Sequence, residues 1–398
     1  MSRRVCVTVA ALAVALVHAA AVRTQTQPPE YAVIDLGPLE PAALNDSRQV
    51  AIQRRLEPTS TGTFIGQPVA GLWEAGSFRE FAVPAGYARA SGAAVNNIGH
   101  LAGTATPPLH AFLWNSQFAP ADLGVLPNAA WSEAHGVNNR LQVVGGSGAG
   151  VLGRGGWSKA VLWQYGTITN LGPGGSGWGM ATAINEFGDI VGWAQITPDA
   201  SGHAFLWRGG TMTDLGSLRG GAWSTSTAHD INDFRQVVGE SVASDGRFHG
   251  FSWQNDVMSD LGLLPGSVGS TAYAVNVSGR VVGMSVLALD MCPPGDGCTR
   301  AVMWRDGMIA DLNTLIPGDS GWILNSATDI NGQGEIVGKG FLNGEPRYFM
   351  LVAATPPPLA RSRPATADDC KNGRWTTFND PPFRNQGECV SFVRSKRG

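Results

Sequence analysis

Apolar positions along this chain come in short runs, separated by small, polar and turn-forming residues. Residues 181–216 show the pattern most clearly. Ala181, Thr182, Ala183 and Ile184 are small or β-branched and predict a short strand. Asn185-Glu186-Phe187-Gly188 predicts a tight turn, because Asn bonds its own backbone two residues on and Gly supplies a left-handed conformation. Asp189 to Trp193 predicts a second strand and His203 to Trp207 a third. Arg208-Gly209-Gly210 is a second turn, and Thr211 to Gly216 a fourth strand. No stretch between Ala32 and Val352 keeps the 3.6-residue apolar period of an amphipathic helix of normal length.

The same phrase, A-x-x-(I/V)-N-x-x-G-x-(I/V)-V-G, recurs along the chain. Its asparagine stands at Asn45, Asn96, Asn138, Asn185, Asn232, Asn276 and Asn331, at intervals of 51, 42, 47, 47, 44 and 55 residues. Such spacing belongs to blade-type β repeats, which run to roughly 40–50 residues. Third strands ending in Trp73, Trp114, Trp163, Trp207, Trp253 and Trp304 recur with it, and so do fourth strands carrying Asp-Leu-Gly or a close variant. The phase of the ends is informative. The first strand-like segment, residues 31–37, reads as a lone fourth strand, and residues 348–352 read as a third strand with no fourth. The two complement each other. Pairing them would close a ring and remove the exposed sheet edges of an open array. The expected fold is therefore all-β: a seven-bladed β-propeller of four-stranded blades over residues 31–353, closed by its N- and C-terminal strands.

These residues resemble the extracellular HAF repeat family, named for a His-Ala-Phe signature. The triplet stands here as His110-Ala111-Phe112 and His203-Ala204-Phe205, and drifts to His249-Gly250-Phe251 and Arg300-Ala301-Val302. The resemblance covers nearly all of residues 31–353 and implies secretion and repeat architecture. It brings no activity with it. The departures are mild: Arg48, Leu141 and Arg235 replace the turn glycine, and Ile52 replaces the strand glycine.

Residues 1–23 carry a basic start (Arg3, Arg4), an apolar run and small residues at Ala19 to Ala21, the pattern of a secretory signal. The run is too short and alanine-rich for a membrane span. A secreted protein, extracellular or periplasmic, is expected. Cys292, Cys298, Cys370 and Cys389 then predict two local disulfides, Cys292–Cys298 and Cys370–Cys389, since neither pair has neighbouring ligands for zinc. Pro-rich residues 354–369 read as a linker. Residues 370–398 read as a small disulfide-stapled module that resembles one common on exported bacterial proteins. With 28 basic against 31 acidic residues and no basic stripe, nucleic acid is not an expected partner. The chain is expected to be monomeric.

Candidate chemistry is sparse. The sequence contains no G-x-S-x-G, H-E-x-x-H, phosphate-binding glycine loop or EF-hand loop. No catalytic residue, cofactor or metal is assigned. His110, His203 and His249 start strands in different units and are expected to be polar strand-end residues rather than metal ligands. The repeated Asp of Asp-Leu-Gly is expected to bond a turn. Asp230 and Asp329 stand two residues before their Asn and could face a central channel. Five aromatic residues occupy the connection from a fourth strand to the next first strand: Tyr87, Trp131, Trp178, Trp223 and Trp322. They form the candidate ligand-binding set, an aromatic platform, set against the alternative that they wedge between blades. The expected function is a binding or scaffold module acting on extracellular glycan or protein through one propeller face. The alternative is a polysaccharide lyase or hydrolase with its site at the channel mouth. A non-repeated cluster of acids, His or Tyr in the loops of one face would favour the enzyme, and no such cluster is visible in the sequence.

Overall fold

The period-2 runs form strands throughout, in a computed structural model that describes residues 29–58, 64–151, 154–172, 178–196, 201–221, 224–292 and 297–354. Seven four-stranded antiparallel sheets result, six of them in simple meander order. Blade 4, for example, runs Gly179–Ile184, Ile190–Ala194, His203–Arg208 and Thr211–Asp214 from the axis outward. The two helical turns among the described residues, Leu289–Met291 and Leu312–Leu315, are short 3₁₀ segments in connections. The molecule is a seven-bladed β-propeller, as the repeat count and phase predict.

Closure is made by both chain ends. Strand Tyr31–Gly37 pairs antiparallel with Glu345–Ala353, with Tyr31 opposite Ala353 and Ile34 opposite Met350. It supplies the outer strand of blade 7, whose other strands are Trp322–Ile330, Ile336–Leu342 and Glu345–Ala353. Tyr31 and Leu36 are buried in two different clusters that flank this sheet. The first of the two expected disulfides also forms: Cys292 and Cys298 are bridged, with Cα atoms 4.9 Å apart. The signal region, the linker, the tail and the Cys370–Cys389 pairing lie outside the described residues.

Inside the ring a second closure runs through side chains. All seven repeat asparagines are buried. Each Nδ2 donates to the backbone carbonyl of the asparagine in the next blade: Asn45 to Asn96 (2.8 Å), Asn96 to Asn138 (3.0 Å), Asn138 to Asn185 (3.1 Å) and Asn185 to Asn232 (3.2 Å). The circle is completed by Asn232 to Asn276 (3.0 Å), Asn276 to Asn331 (3.0 Å) and Asn331 back to Asn45 (3.2 Å). Meanwhile Oδ1 holds the turn locally. In Asn185 it accepts from the N–H groups of Phe187 (3.0 Å) and Asp189 (2.9 Å). The same residue type thus makes the hairpin and joins the blades.

The other repeated positions have equally local causes. The residue three after each asparagine is left-handed in every blade, with φ +79, +83, +78 and +80 at Gly99, Gly188, Gly279 and Gly334. Arg48, Leu141 and Arg235 take the same conformation at φ 61, 60 and 58, against a cost of about 1–2 kcal/mol for a residue with a Cβ. Two of the three gain something in return. Arg235 reaches Asp189 of the preceding blade at 2.7 Å, and Arg48 pairs with Glu335 across the closure. The glycine of the second strand answers to a different constraint. An added Cβ at Gly192 would lie 2.0 Å from the Met180 carbonyl, and at Gly145, Gly239 and Gly283 it would meet the inner-strand carbonyl as closely. Each inner strand carries a β-bulge that presses this carbonyl inward. Blade 1, which has Ile52 there, shows extra register shifts on both sides of that strand.

Two outcomes test this account. Removing residues 24–37 deletes the outer strand of blade 7, exposes the edge of Glu345–Ala353 and should lower the melting temperature sharply or cause aggregation, measured by scanning fluorimetry and light scattering. Asn185→Ala strands two turn N–H groups and the Asn232 carbonyl, and should cost roughly 2–4 kcal/mol in denaturant unfolding. Asn185→Asp should be worse at neutral pH, because it places carboxylate oxygen against the Asn232 carbonyl and Asp189.

Candidate functional site

A bulge re-aims one side chain per strand, and here it does so seven times. Every inner strand shifts register between the residues four and two before its asparagine: Pro41/Ala43, Gly92/Ala94, Ala134/Gly136, Ala181/Ala183, Ala228/Asp230, Ala272/Ala274 and Ala327/Asp329. The extra residue at each bulge lines a chamber on the propeller axis of about 200 Å3. In order around the ring these residues are Ala42, Ala93, His135, Thr182, His229, Tyr273 and Thr328. They occupy one structural position and differ in chemistry. Blades 1 and 2 present only methyl groups, whereas blades 3 to 7 present polar ones.

Asp230 and Asp329 join this wall from the next position along. Both carboxyls are tied to backbone. Asp230 accepts from Ile231 N–H (2.8 Å) and from Val275 N–H of blade 6 (2.8 Å). Asp329 accepts from Ile330 N–H (2.7 Å) and from Leu44 N–H of blade 1 (2.6 Å). Burial pushes Asp329 up to about 7, and the charge of Asp230 adds to the effect. Burial raises Asp230 too, against the pull of its two N–H bonds. His229 is driven down by burial, against the nearby charge of Glu240. Its ring lies 5.6 Å from that of Tyr273, whose phenol is raised by burial and then by Glu240. Behind them Glu240 accepts from the Thr271 hydroxyl at 2.8 Å. His135 stands 3.6 Å from Glu133.

Two rings bound the chamber at the asparagine end. The residues just before the asparagines, Leu44, Val95, Val137, Ile184, Ile231, Val275 and Ile330, make an aliphatic collar. Beyond it the turns themselves surround a shallow funnel of about 220 Å3. There the residue after the asparagine accepts from the previous blade in five of the seven blades, as Asp233 does from Glu186 N–H (2.9 Å) and Asn97 from Asp46 N–H (2.9 Å).

The aromatic candidates stand elsewhere. Inner strands run antiparallel to their neighbours, so Trp131 and Trp322, which open inner strands, mark the mouth opposite the asparagine turns. Trp131 is only 6% exposed, and its ring covers Gly146 and Gly148. Tyr87 is half-buried, edge-on to Phe112 at 5.1 Å, and its hydroxyl donates to Asp122 (3.1 Å). Trp322 is half-buried, edge-on to Phe349 at 5.9 Å, and Trp178 is half-buried as well. Trp223 lies outside the described residues. Of the four described aromatics, Trp131 is buried, Tyr87 and Trp322 each set one ring against a neighbouring aromatic, and Trp178 is half-buried. The channel wall stands beside this aromatic set as a second candidate site.

The repeated histidines and aspartates serve the blades. His110 bonds Asp122 (2.9 Å), His203 bonds Asp214 (3.0 Å) and His249 bonds Asp260 (2.7 Å), each inside its own blade. Each Asp also accepts from the glycine N–H two residues on, at 2.8 Å in all three. His-Ala-Phe and Asp-Leu-Gly are thus two halves of one strand-end contact. The non-repeated cluster of His, Tyr and Asp does exist, but on inner strands rather than in loops. Its sequence signal was the position three before the asparagine, where alanine gives way to His, Thr and Tyr. Among the described residues no group of three or more His, Cys, Asp or Glu is placed to hold a metal ion.

Asp329 gives a pH test. Its folded value, about 7, lies above the ordinary carboxyl value near 3.9, so the native state holds this proton more tightly. The resulting stabilisation is full below about pH 4 and is lost as pH rises through about 7. Asp329→Ala should flatten that segment of the melting temperature against pH, measured from acid to mildly alkaline buffer.

No protein-family model matches the chain, and no curated protein matches it. Solved structures do. A puromycin-hydrolyzing peptidase from Mycobacterium tuberculosis is similar at 13% identity and TM-score 0.50, over 83% of this chain and 55% of that one. The S511A mutant of puromycin hydrolase complexed with PGG is similar at 14% and 0.50, over 79% and 53%. A prolyl endopeptidase is similar at 8% and 0.50, over 83% and 51%. The chain spans about half the length of these peptidases, and at such identities the likeness is one of fold. Among the described residues no helix is long and apolar enough to cross a membrane.

Proposed function

We propose that this chain is an exported binding module that takes extracellular glycan or protein into its axial channel, through the mouth opposite the asparagine turns. One observation carries the reading. Seven bulges aim seven side chains at one chamber, and these side chains diverge where the rest of the repeat is kept. A structural position held for packing would favour one residue type, whereas His135, Thr182, His229, Tyr273 and Thr328 present donors and acceptors of different reach. The signal-like residues 1–23 and the resemblance to HAF repeats support export.

The enzyme reading draws support from the same wall. Asp230 and Asp329 line one chamber and feel each other's charge, with Asp329 near neutrality, which suits general acid–base work. Within that reading hydrolysis is favoured over elimination from an acidic sugar. The chamber lining includes no Lys or Arg to neutralise a uronate.

The test is a glycan array and a thermal-shift screen on the mature chain. A hit should be lost in the double variant His229→Ala/Tyr273→Phe while the melting temperature stays within a few degrees. Binding retained in that variant would place the ligand elsewhere. Reducing ends appearing on incubation with the hit would move the assignment from binding to hydrolysis.

A further inference from the structure

We propose that the axial chamber is a seat for a protonated amine, with Asp230 and Asp329 as its counter-charges and the rings of Tyr273 and His229 as its wall. This rests on the channel reading above and narrows it to a chemical class.

The two carboxyls are not needed to build the propeller. Their position, two before the asparagine, is Ala43, Ala94, Gly136, Ala183 and Ala274 in the other blades, and those blades form the same bulge and turn. Alanine or glycine satisfies the fold there five times. Yet blades 5 and 7 each place a half-buried acid here, withdrawn from bulk water against the chamber, where an unpaired carboxylate is costly. Neither Asp230 nor Asp329 forms an ion pair with a Lys or Arg among the described residues, and their other lone pairs remain beside the chamber. The backbone N–H bonds fix both carboxyls in place without neutralising them.

A second observation concerns the same wall. His229 borders the chamber, and its Nε2 is buried without a hydrogen-bond partner. With Tyr273 beside it at 5.6 Å, the wall is aromatic next to the acids. Carboxylates and aromatic faces together attract an ammonium group, by charge and by the ring quadrupole. An anion would meet two acids and no Lys or Arg in this lining. A neutral hydroxyl would leave the acids uncompensated. The ligand class is an amine-bearing chain or sugar: a lysine side chain, a polyamine or an unacetylated amino sugar.

The groups facing the acids fix the pH dependence. His135, His229 and Tyr273 share the chamber; Glu133 stands beside His135, Glu240 behind Thr271, and Asp46 above Asp329. Acidification through neutrality protonates Asp329, whose carboxyl burial holds up at about 7, and the loss of that negative charge opposes a cation. Affinity should therefore fall as pH is lowered through neutrality.

The experiment is calorimetric titration of the mature chain with 1,5-diaminopentane and with its neutral counterpart 1,5-pentanediol, at about pH 8 and about pH 5. The diamine should bind at the higher pH and the diol should not, with affinity down by more than about tenfold at the lower pH. Asp230→Ala and Asp329→Ala restore the residue that four of the other blades carry, so both should fold; each should weaken the diamine by about tenfold or more. Absence of diamine binding at about pH 8, equal binding of the diol, or unchanged affinity in both alanine variants would overturn the amine seat. The channel reading has its own outcome. A glycan that binds the wild type, is lost in His229→Ala/Tyr273→Phe and is untouched by the aspartate variants would keep the channel and reject the amine.

Discussion

Each turn asparagine commits its side chain in two directions at once. Its Oδ1 accepts from N–H groups of its own hairpin, two of them in Asn45, and its Nδ2 reaches the carbonyl of the next asparagine around the axis. In Asn45 all four hydrogen-bonding capacities are filled, the fourth by the Gln49 amide at 2.8 Å. Such a group has no better place in water and no alternative partner in the fold. Seven of them closed on themselves fix the radius of the inner wall. Everything else about the site depends on that radius.

The bulge and the glycine next to it follow from the same constraint. To bring seven hairpin turns within reach of one another, each inner strand must kink, and the kink presses a carbonyl against the neighbouring strand. Only glycine leaves room for that carbonyl at Gly103, Gly145, Gly192, Gly239, Gly283 and Gly338. The kink then turns one extra side chain toward the axis. A requirement of closure therefore produces seven equivalent inward positions, and chemical variety there costs the fold little. Ala42 and His229 occupy the same place in blades of the same shape.

The outer parts of the blades show the opposite tendency. His203 and Asp214, or His249 and Asp260, recur because each pair ties a third strand to a fourth and caps a glycine turn. Tyr87, Trp131 and Trp322 are spent on packing against Phe112, paired glycines and Phe349. Recurrence in this chain marks mechanical necessity, and departure from recurrence marks the chamber.

Sequence by itself determined the number of blades, their strand order and the joining of residues 31–37 to 348–352, because each is set by local period and by the phase of the chain ends. The Cys292–Cys298 bridge was legible for the same reason, its partners lying six residues apart. Asp230 and Asp329 could be suspected of facing a channel from their offset to the asparagine. What only the tertiary structure decided is convergence. His135, His229, Tyr273 and Asp329 come from four blades spread over about half the chain, and no local pattern states that a bulge will turn them to one axis. Nor could spacing tell whether Trp131 was a free face or a cover for Gly146 and Gly148. Exposure is settled by what the neighbouring strand leaves open, and that depends on the whole ring being closed.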